Sequence, residues 1–133
     1  MQNVPYANAV GCLMNAMVLT RLDISHVVSF VSRYMASHDM EDWKVVKWIM
    51  RYLSSTLSYG LVYGKNKGSC EGLLGYVDSD YAGDLDMKRS LIGYMFTYNN
   101  CFINWKVILQ HVVALSTTKA EYTAATEAVN KAL

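Results

Sequence analysis

Two acidic features of this sequence have the residue types and the placement to hold a hard metal cation. Four of its eleven acids, Asp78, Asp80, Asp84 and Asp86, fall within nine residues of the stretch VDSDYAGDLD. Asp78 directly follows an apolar run, 73–77, that reads as a strand. If that strand continues to residue 80, Asp78 and Asp80 point to the same face, because side chains alternate along a strand. Two such carboxylates repel unless a cation or a base neutralises them, and magnesium and manganese favour oxygen ligands. The plain alternative is an acidic, solvated loop; the glycine and glutamate positions exclude an EF-hand. The second feature is Glu121, in LSTTKAEYTAA, in the first turn of an expected helix. Its phase matches Ala124, Ala125 and Ala128, which should face a sheet, so Glu121 is expected to point inward. A buried acid without a partner is costly, which favours pairing or a metal. The alternative is the common use of glutamate to stabilise a helix N-terminus.

The elements that must position these acids divide the chain in two. Residues 6–53 carry helical periodicity. Apolar positions 6, 9, 10, 13, 14 and 17 follow Pro5, a residue tolerated at a helix start. Asp23 is expected to cap a second helix that buries Ile24, Val27, Val28, Val31 and Met35. Asp39 or Glu41 opens a third, with Trp43, Val46, Ile49 (or Met50) and Leu53 inward and Lys44, Lys47 and Arg51 outward. Serines and a threonine at 54–58 end it. Glycines 60, 64 and 68 then punctuate a short expected strand at 61–63, with the boundary near 65–70. Beyond it, runs 73–77, 92–98 and 101–105 read as strands of a meander, with Asn99-Asn100 as a turn. Residues 112–115 either extend the sheet or lead onward. Ser116 or Thr117 caps a helix over 118–132, whose alanines 120, 124, 125, 128 and 132 allow close packing on a sheet. The expected fold class is α+β or α/β: about three helices, then three antiparallel strands and one helix.

With 133 residues, 53% hydrophobic and 17% charged, the chain can bury a core and does not resemble a disordered one. A net charge of +1 gives no bulk argument for nucleic acid or a membrane surface. Cys12, Cys70 and Cys101 are far apart and odd in number, against a disulfide framework or zinc site. No run of about 18 apolar residues and no signal sequence is visible. The expected setting is intracellular, without membrane partners and not secreted.

The segments GYVDSDYAGDLDMKRSLIGYMFTYNNCFINWK and VALSTTKAEYTAATEA resemble the RNase H domain of copia-type retrotransposon Pol polyproteins. The segment from YANAVGCLMNAM to SYGLVY resembles the preceding tail of the reverse transcriptase. The resemblance covers nearly the whole chain in the family's order. It implies a reverse-transcriptase tail or connection over 1–65 and a partial RNase H-like domain over 70–133. The implied activity is hydrolysis of the RNA strand of an RNA–DNA hybrid by two metal ions, Mg2+ or Mn2+, about 3.5–4 Å apart. Asp78 and Glu121 map onto catalytic metal ligands, and Asp80 also belongs to the pattern. The implied partners are the hybrid and the reverse transcriptase body of the same polyprotein. The implied location is a cytoplasmic retroelement particle or the nucleus.

Departures from the family pattern temper the activity. Its third and fourth acids lie further along than Leu133, and magnesium demands near-octahedral coordination. The 133-residue chain is therefore expected to be inactive or nearly so. Leu22, Lys119 and Leu91 replace the usual proline, acid and threonine. A non-catalytic retroelement relic, acting at most as a helical module that binds nucleic acid or protein, is the competing expectation. Lys88 and Arg89, beside the acidic turn, and Lys44, Lys47 and Arg51, on one helix face, are the candidate phosphate contacts. The alternative for the helix face is ordinary solvation. The histidines His26, His38 and His111 show no ligand spacing.

Overall fold

The computed structural model describes residues 4–64, 72–84 and 86–133. Those residues form a mixed α+β arrangement of four α-helices and one three-stranded antiparallel sheet. The chain divides into two compact units, Met1–Leu61 and Val62–Leu133. The boundary expected at 65–70 lies outside the described residues, as does Cys70.

The first unit is helical. Helix α1 spans Tyr6–Leu19 after Pro5 and buries Tyr6, Ala9, Val10 and Leu13. That three- and four-residue spacing turns one stripe of the helix to the core. A single 3-10 turn, Leu22–Ile24, leads into α2, Ser25–Ser32. Helix α3, Met40–Ser55, starts at Asp39 with a reciprocal capping box. The Asp39 carboxylate accepts from the Asp42 backbone N–H at 2.9 Å, and the Asp42 carboxylate accepts from that of Asp39 at 3.0 Å. Each satisfies a donor that the helix start leaves without a partner. Val28, Val31, Val46 and Ile49 complete the core, with Trp43 and Leu53 packed against it.

Three expectations fail. Asp23 does not cap α2; it lies inside the 3-10 turn and receives the buried guanidinium of Arg21 at 2.7 Å. Val27 and Met35 are exposed, because α2 ends at Ser32 and only Val28 and Val31 stay on the inner stripe. The expected strand at 61–63 is irregular chain. Tyr63 reaches the sheet through its side chain, its hydroxyl donating to the Phe102 carbonyl at 2.7 Å.

The second unit is the meander β1 (Leu73–Asp80), β2 (Leu91–Tyr98) and β3 (Cys101–Leu109), followed by α4 (Thr117–Ala132). Asn99 and Asn100 both have positive φ, 49° and 62°. That is the conformation a two-residue hairpin requires and asparagine tolerates. A bulge shifts the β2–β3 register between Phe96 and Thr97. Ser116 caps α4, its hydroxyl accepting from the Lys119 N–H. Residues 112–115 lead to this cap and add no strand. Ala120, Ala124 and Ala128 are the buried face of α4, while Ala125 and Ala132 are exposed. Ala124 and Ala128 pack on Ile92, Tyr94 and Phe96 of β2. Methyl side chains bring the helix close to the sheet. Among the described residues, no helix is long and apolar enough to cross a membrane.

Candidate functional site

Strand β1 does continue to Asp80, so the condition for pairing Asp78 with Asp80 on one face is met. Register fixes which face. Val77 lies opposite Tyr94 and Ser79 opposite Ile92, so these share the side covered by α4. Asp78, opposite Gly93, and Asp80, opposite Leu91, project from the other side. Both acids are exposed.

The turn after β1 is shaped around these acids. Gly83 leaves the room that the Asp80 carboxylate occupies; a Cβ there would overlap that carboxylate. Ala82, at φ 52°, donates its N–H to the hydroxyl of fully buried Ser90 at 3.2 Å. Asp84 is buried, and its backbone closes the loop on both sides. Its N–H donates to the Arg89 carbonyl at 3.0 Å, and its own carbonyl accepts from Lys88 at 2.8 Å. Thus the four acids divide: Asp78 and Asp80 at the open strand end, Asp84 inside the turn, Asp86 on its surface.

Glu121 follows buried Ala120 in the first turn of α4 and is itself exposed. The expectation that it shares an inward face with Ala125 is corrected: the buried stripe is 120, 124 and 128, and Glu121 sits on its shoulder. Alternation along β1 sends Asp78 away from the side on which α4, and so Glu121, lies. Among the described residues, no group of three His, Cys, Asp or Glu side chains is placed to hold a metal ion. The donors suit a hard cation in kind, all being carboxylate oxygens, but these residues do not by themselves make a metal site.

One residue that the sequence reading passed over connects the two acid-bearing elements. Gln110, just after β3, is 1% exposed. Its Nε2 donates to the Ala120 carbonyl at 2.9 Å and lies 3.4 Å from the Ser79 hydroxyl oxygen. Its backbone N–H donates to the Ser90 carbonyl at 2.9 Å. Ser79 Oγ in turn donates to the Leu91 carbonyl. The residue after Asp78 is thereby linked to the residue before Glu121. No periodicity signals such a role; a polar residue between an apolar strand and a loop reads as a surface position.

The candidate phosphate contacts fall in both units. Lys88 is exposed at positive φ 55°, and Arg89 is half-buried in the same turn. Lys44, Lys47 and Arg51 are exposed along α3, and Lys44 pairs with Glu41. Cys12 and Cys101 are free thiols.

Sequence relatives now set this geometry in context. The chain is 52% identical over 127 residues to the retrovirus-related Pol polyprotein from transposon TNT 1-94 of Nicotiana tabacum, covering 96% of this chain and 9% of the polyprotein. It is 35% identical over 117 residues to the corresponding polyprotein from transposon RE2 of Arabidopsis thaliana, covering 88% and 8%. It is also 40% identical, over all 133 residues, to secreted RxLR effector protein 161 of Plasmopara viticola, 92% of whose length is matched. The chain is thus similar to a segment of retrovirus-related Pol polyproteins of transposons, and it matches nearly the whole of the Plasmopara protein. It spans under a tenth of the Pol polyproteins it matches. No protein-family model matches the chain, and no solved structure does.

Proposed function

We propose that the chain is the front part of a retroelement ribonuclease H. In this reading Asp78 and Asp80 supply carboxylates for Mg2+ or Mn2+, Glu121 is the further acid that the resemblance implies, and the substrate is the RNA strand of an RNA–DNA hybrid. The observation that supports the reading is the likeness to transposon Pol polyproteins, with Asp78 and Asp80 on one face at the end of β1. Asp78 and Glu121 lie towards different sides of the sheet, so the reading rests on the likeness and not on their convergence. The 1–61 unit would then be the tail of the reverse transcriptase, and Lys88 and Arg89 the phosphate contacts nearest the acids. Lys44, Lys47 and Arg51 would add salt-sensitive affinity for the same hybrid. Three carboxylates cannot complete two octahedral ions, so the 133-residue chain alone cuts at background rate.

The test is hybrid cleavage in magnesium, with the chain alone and with the chain extended by the downstream segment of the TNT 1-94 polyprotein. The extended protein should cut, and Asp78→Asn should abolish the cut. Cleavage by the 133-residue chain that survives Asp78→Asn would refute the site assignment.

A second reading, a non-catalytic retroelement relic that binds nucleic acid or protein, has one observation in its favour. The Plasmopara effector has nearly the same span. Hybrid binding by fluorescence anisotropy with no cleavage, even by the extended protein, would support it.

A further inference from the structure

We infer that the cleft between the 3-10 turn, α2 and α3 takes one unpaired base of a nucleic-acid strand, stacked on Trp48, while the basic stripe of α3 holds the phosphates of that strand. The inference takes nucleic acid as the partner from the proposed function, and it involves none of the acids of the sheet unit.

The cleft has a volume of about 320 Å3 and is lined by Ile24 and Val27 from the 3-10 turn and α2, and by Val45, Trp48 and Tyr52 from α3. Its walls are mainly apolar, yet Trp48 is 64% exposed and Val27 39%. An exposed indole beside an apolar wall offers a flat ring a place to stack. Bases inside a duplex keep their faces against each other, so such a place selects unpaired nucleotides.

Helix geometry joins this cleft to positive charge. With 3.6 residues per turn, positions around α3 run outward from the core as Ile49, Val45, Tyr52 and Trp48, then Lys44, Arg51 and Lys47. Trp48 therefore stands on the border between the cleft and the basic stripe. From Lys44 to Arg51 the stripe extends about 10 Å along the axis, the rise of about three stacked nucleotides. Lys44 is paired with Glu41. Among the described residues Lys47 and Arg51 have no carboxylate partner, and both are exposed. Two cations without counter-charges beside a ring-sized apolar cleft match a phosphate strand with a base turned inward. An apolar peptide would answer only the cleft. Asp23 also lines the cleft, but its charge is balanced by Arg21 at 2.7 Å, and the Tyr52 hydroxyl donates to it at 2.7 Å. The ionised carboxylate can only accept, which suits a base that bears an amino group, such as adenine.

The test uses the 133-residue chain and fluorescein-labelled oligoadenylate RNA, either single-stranded or paired with oligothymidylate DNA. Binding is followed by fluorescence anisotropy over a series of salt concentrations. The chain should bind the single strand more tightly than the hybrid. Trp48→Ala should weaken single-strand binding about tenfold, the loss expected for one stacking platform, and should leave hybrid binding unchanged. Trp48→Phe, which keeps an aromatic face, should recover most of that loss. Lys47→Gln combined with Arg51→Gln should weaken both complexes. It should also flatten the slope of log affinity against log salt by about 1.4 for the single strand, as two lost phosphate contacts require. Circular dichroism should be the same for every variant, since the changed side chains are exposed.

Equal single-strand binding by wild type and Trp48→Ala would overturn the inference, even if the double variant binds less. So would the absence of single-strand binding. Self-association in sedimentation that Trp48→Ala abolishes, without nucleic-acid binding, would assign the cleft to a second copy of the chain and also overturn it. Failure of the extended chain to cut hybrid would count against the proposed nuclease alone, because the anisotropy comparison does not depend on cleavage.

Discussion

Among the described residues, nine buried side chains from α1, α2, α3 and the 3-10 turn form one cluster in the helical unit, whereas five from β2 and α4 do so in the sheet unit. The helical core is built from branched and aromatic side chains, and a buried polar clamp closes it. Arg21 donates to Asp23 and to the Thr56 carbonyl and hydroxyl, and its guanidinium stacks 5.4 Å above the Tyr52 ring. The sheet unit instead sets alanines against aromatic residues, and β1 exposes Leu73, Leu74, Tyr76 and Val77. Its order depends on local devices: a two-asparagine turn, a serine cap, a glycine under Phe96 and the Gln110 tie. A Cβ at Gly75 would lie 2.8 Å from the Phe96 ring. The unit that carries the candidate acids is thus the one with the smaller apolar cluster among the described residues, and local devices shape its turns.

Large-to-small changes should expose this contrast most strongly. Leu13→Ala should destabilise the helical unit by about 3 kcal/mol, and Phe96→Ala the sheet unit by about 4 kcal/mol. Hydrogen exchange resolved by residue would show each loss confined to its own unit. Equal loss of protection across both would mean that the two fold as one. Overpacking should follow. Ala124→Leu should cost about 2 kcal/mol in urea unfolding, because Ala124 is fully buried against the sheet. The same enlargement at exposed Ala125 should cost almost nothing. Caps come next: Ser116→Ala and Asp39→Ala should each cost about 1 kcal/mol. Only the former should loosen the turn that carries Glu121.

The smallest effects are those of pH, and they act on the helical unit. Hydrogen bonding from Arg21 holds the Asp23 carboxyl down from 3.8 to about 2. A depressed acid stabilises fully above its ordinary value, so this contribution fades as pH falls from about 4 through 2. Burial, with the charges of Asp42 and Asp39, pushes Tyr6 up from 10.0 to about 12. Its contribution is complete below 10 and is lost as pH rises through 12. Asp23→Asn should remove the acid slope, and Tyr6→Phe the alkaline one, in unfolding curves followed by circular dichroism. A persistent slope in either variant would assign it to another group.

Much of this was legible beforehand. Helical spacing at 6, 9, 10 and 13 found the inner face of α1, the Asp39 cap found the start of α3, and paired asparagines found the hairpin. Residue 23 misled because an acid before an apolar run resembles a cap, while a buried arginine two residues away took it as an ionic partner. Residues 61–63 misled because β-prone side chains mark a strand only where a neighbouring backbone completes the ladder. The length of β3 was underestimated because Lys106 and Gln110 interrupt the apolar pattern.

The acids show the same division. Sequence by itself determined that Asp78 and Asp80 share a face provided the strand runs on to residue 80, since alternation is a local property of the strand; the structure met that condition. It also put Glu121 in the first turn of a helix, since Ser116 and the alanines are local signals. Only the tertiary structure decided which side of β1 faces α4, that Glu121 stands on the shoulder of the helix and not beneath it, and that Gln110 joins the two elements. Those facts depend on register between strands and on contacts between residues 30 or more apart in the chain, and no local pattern encodes them.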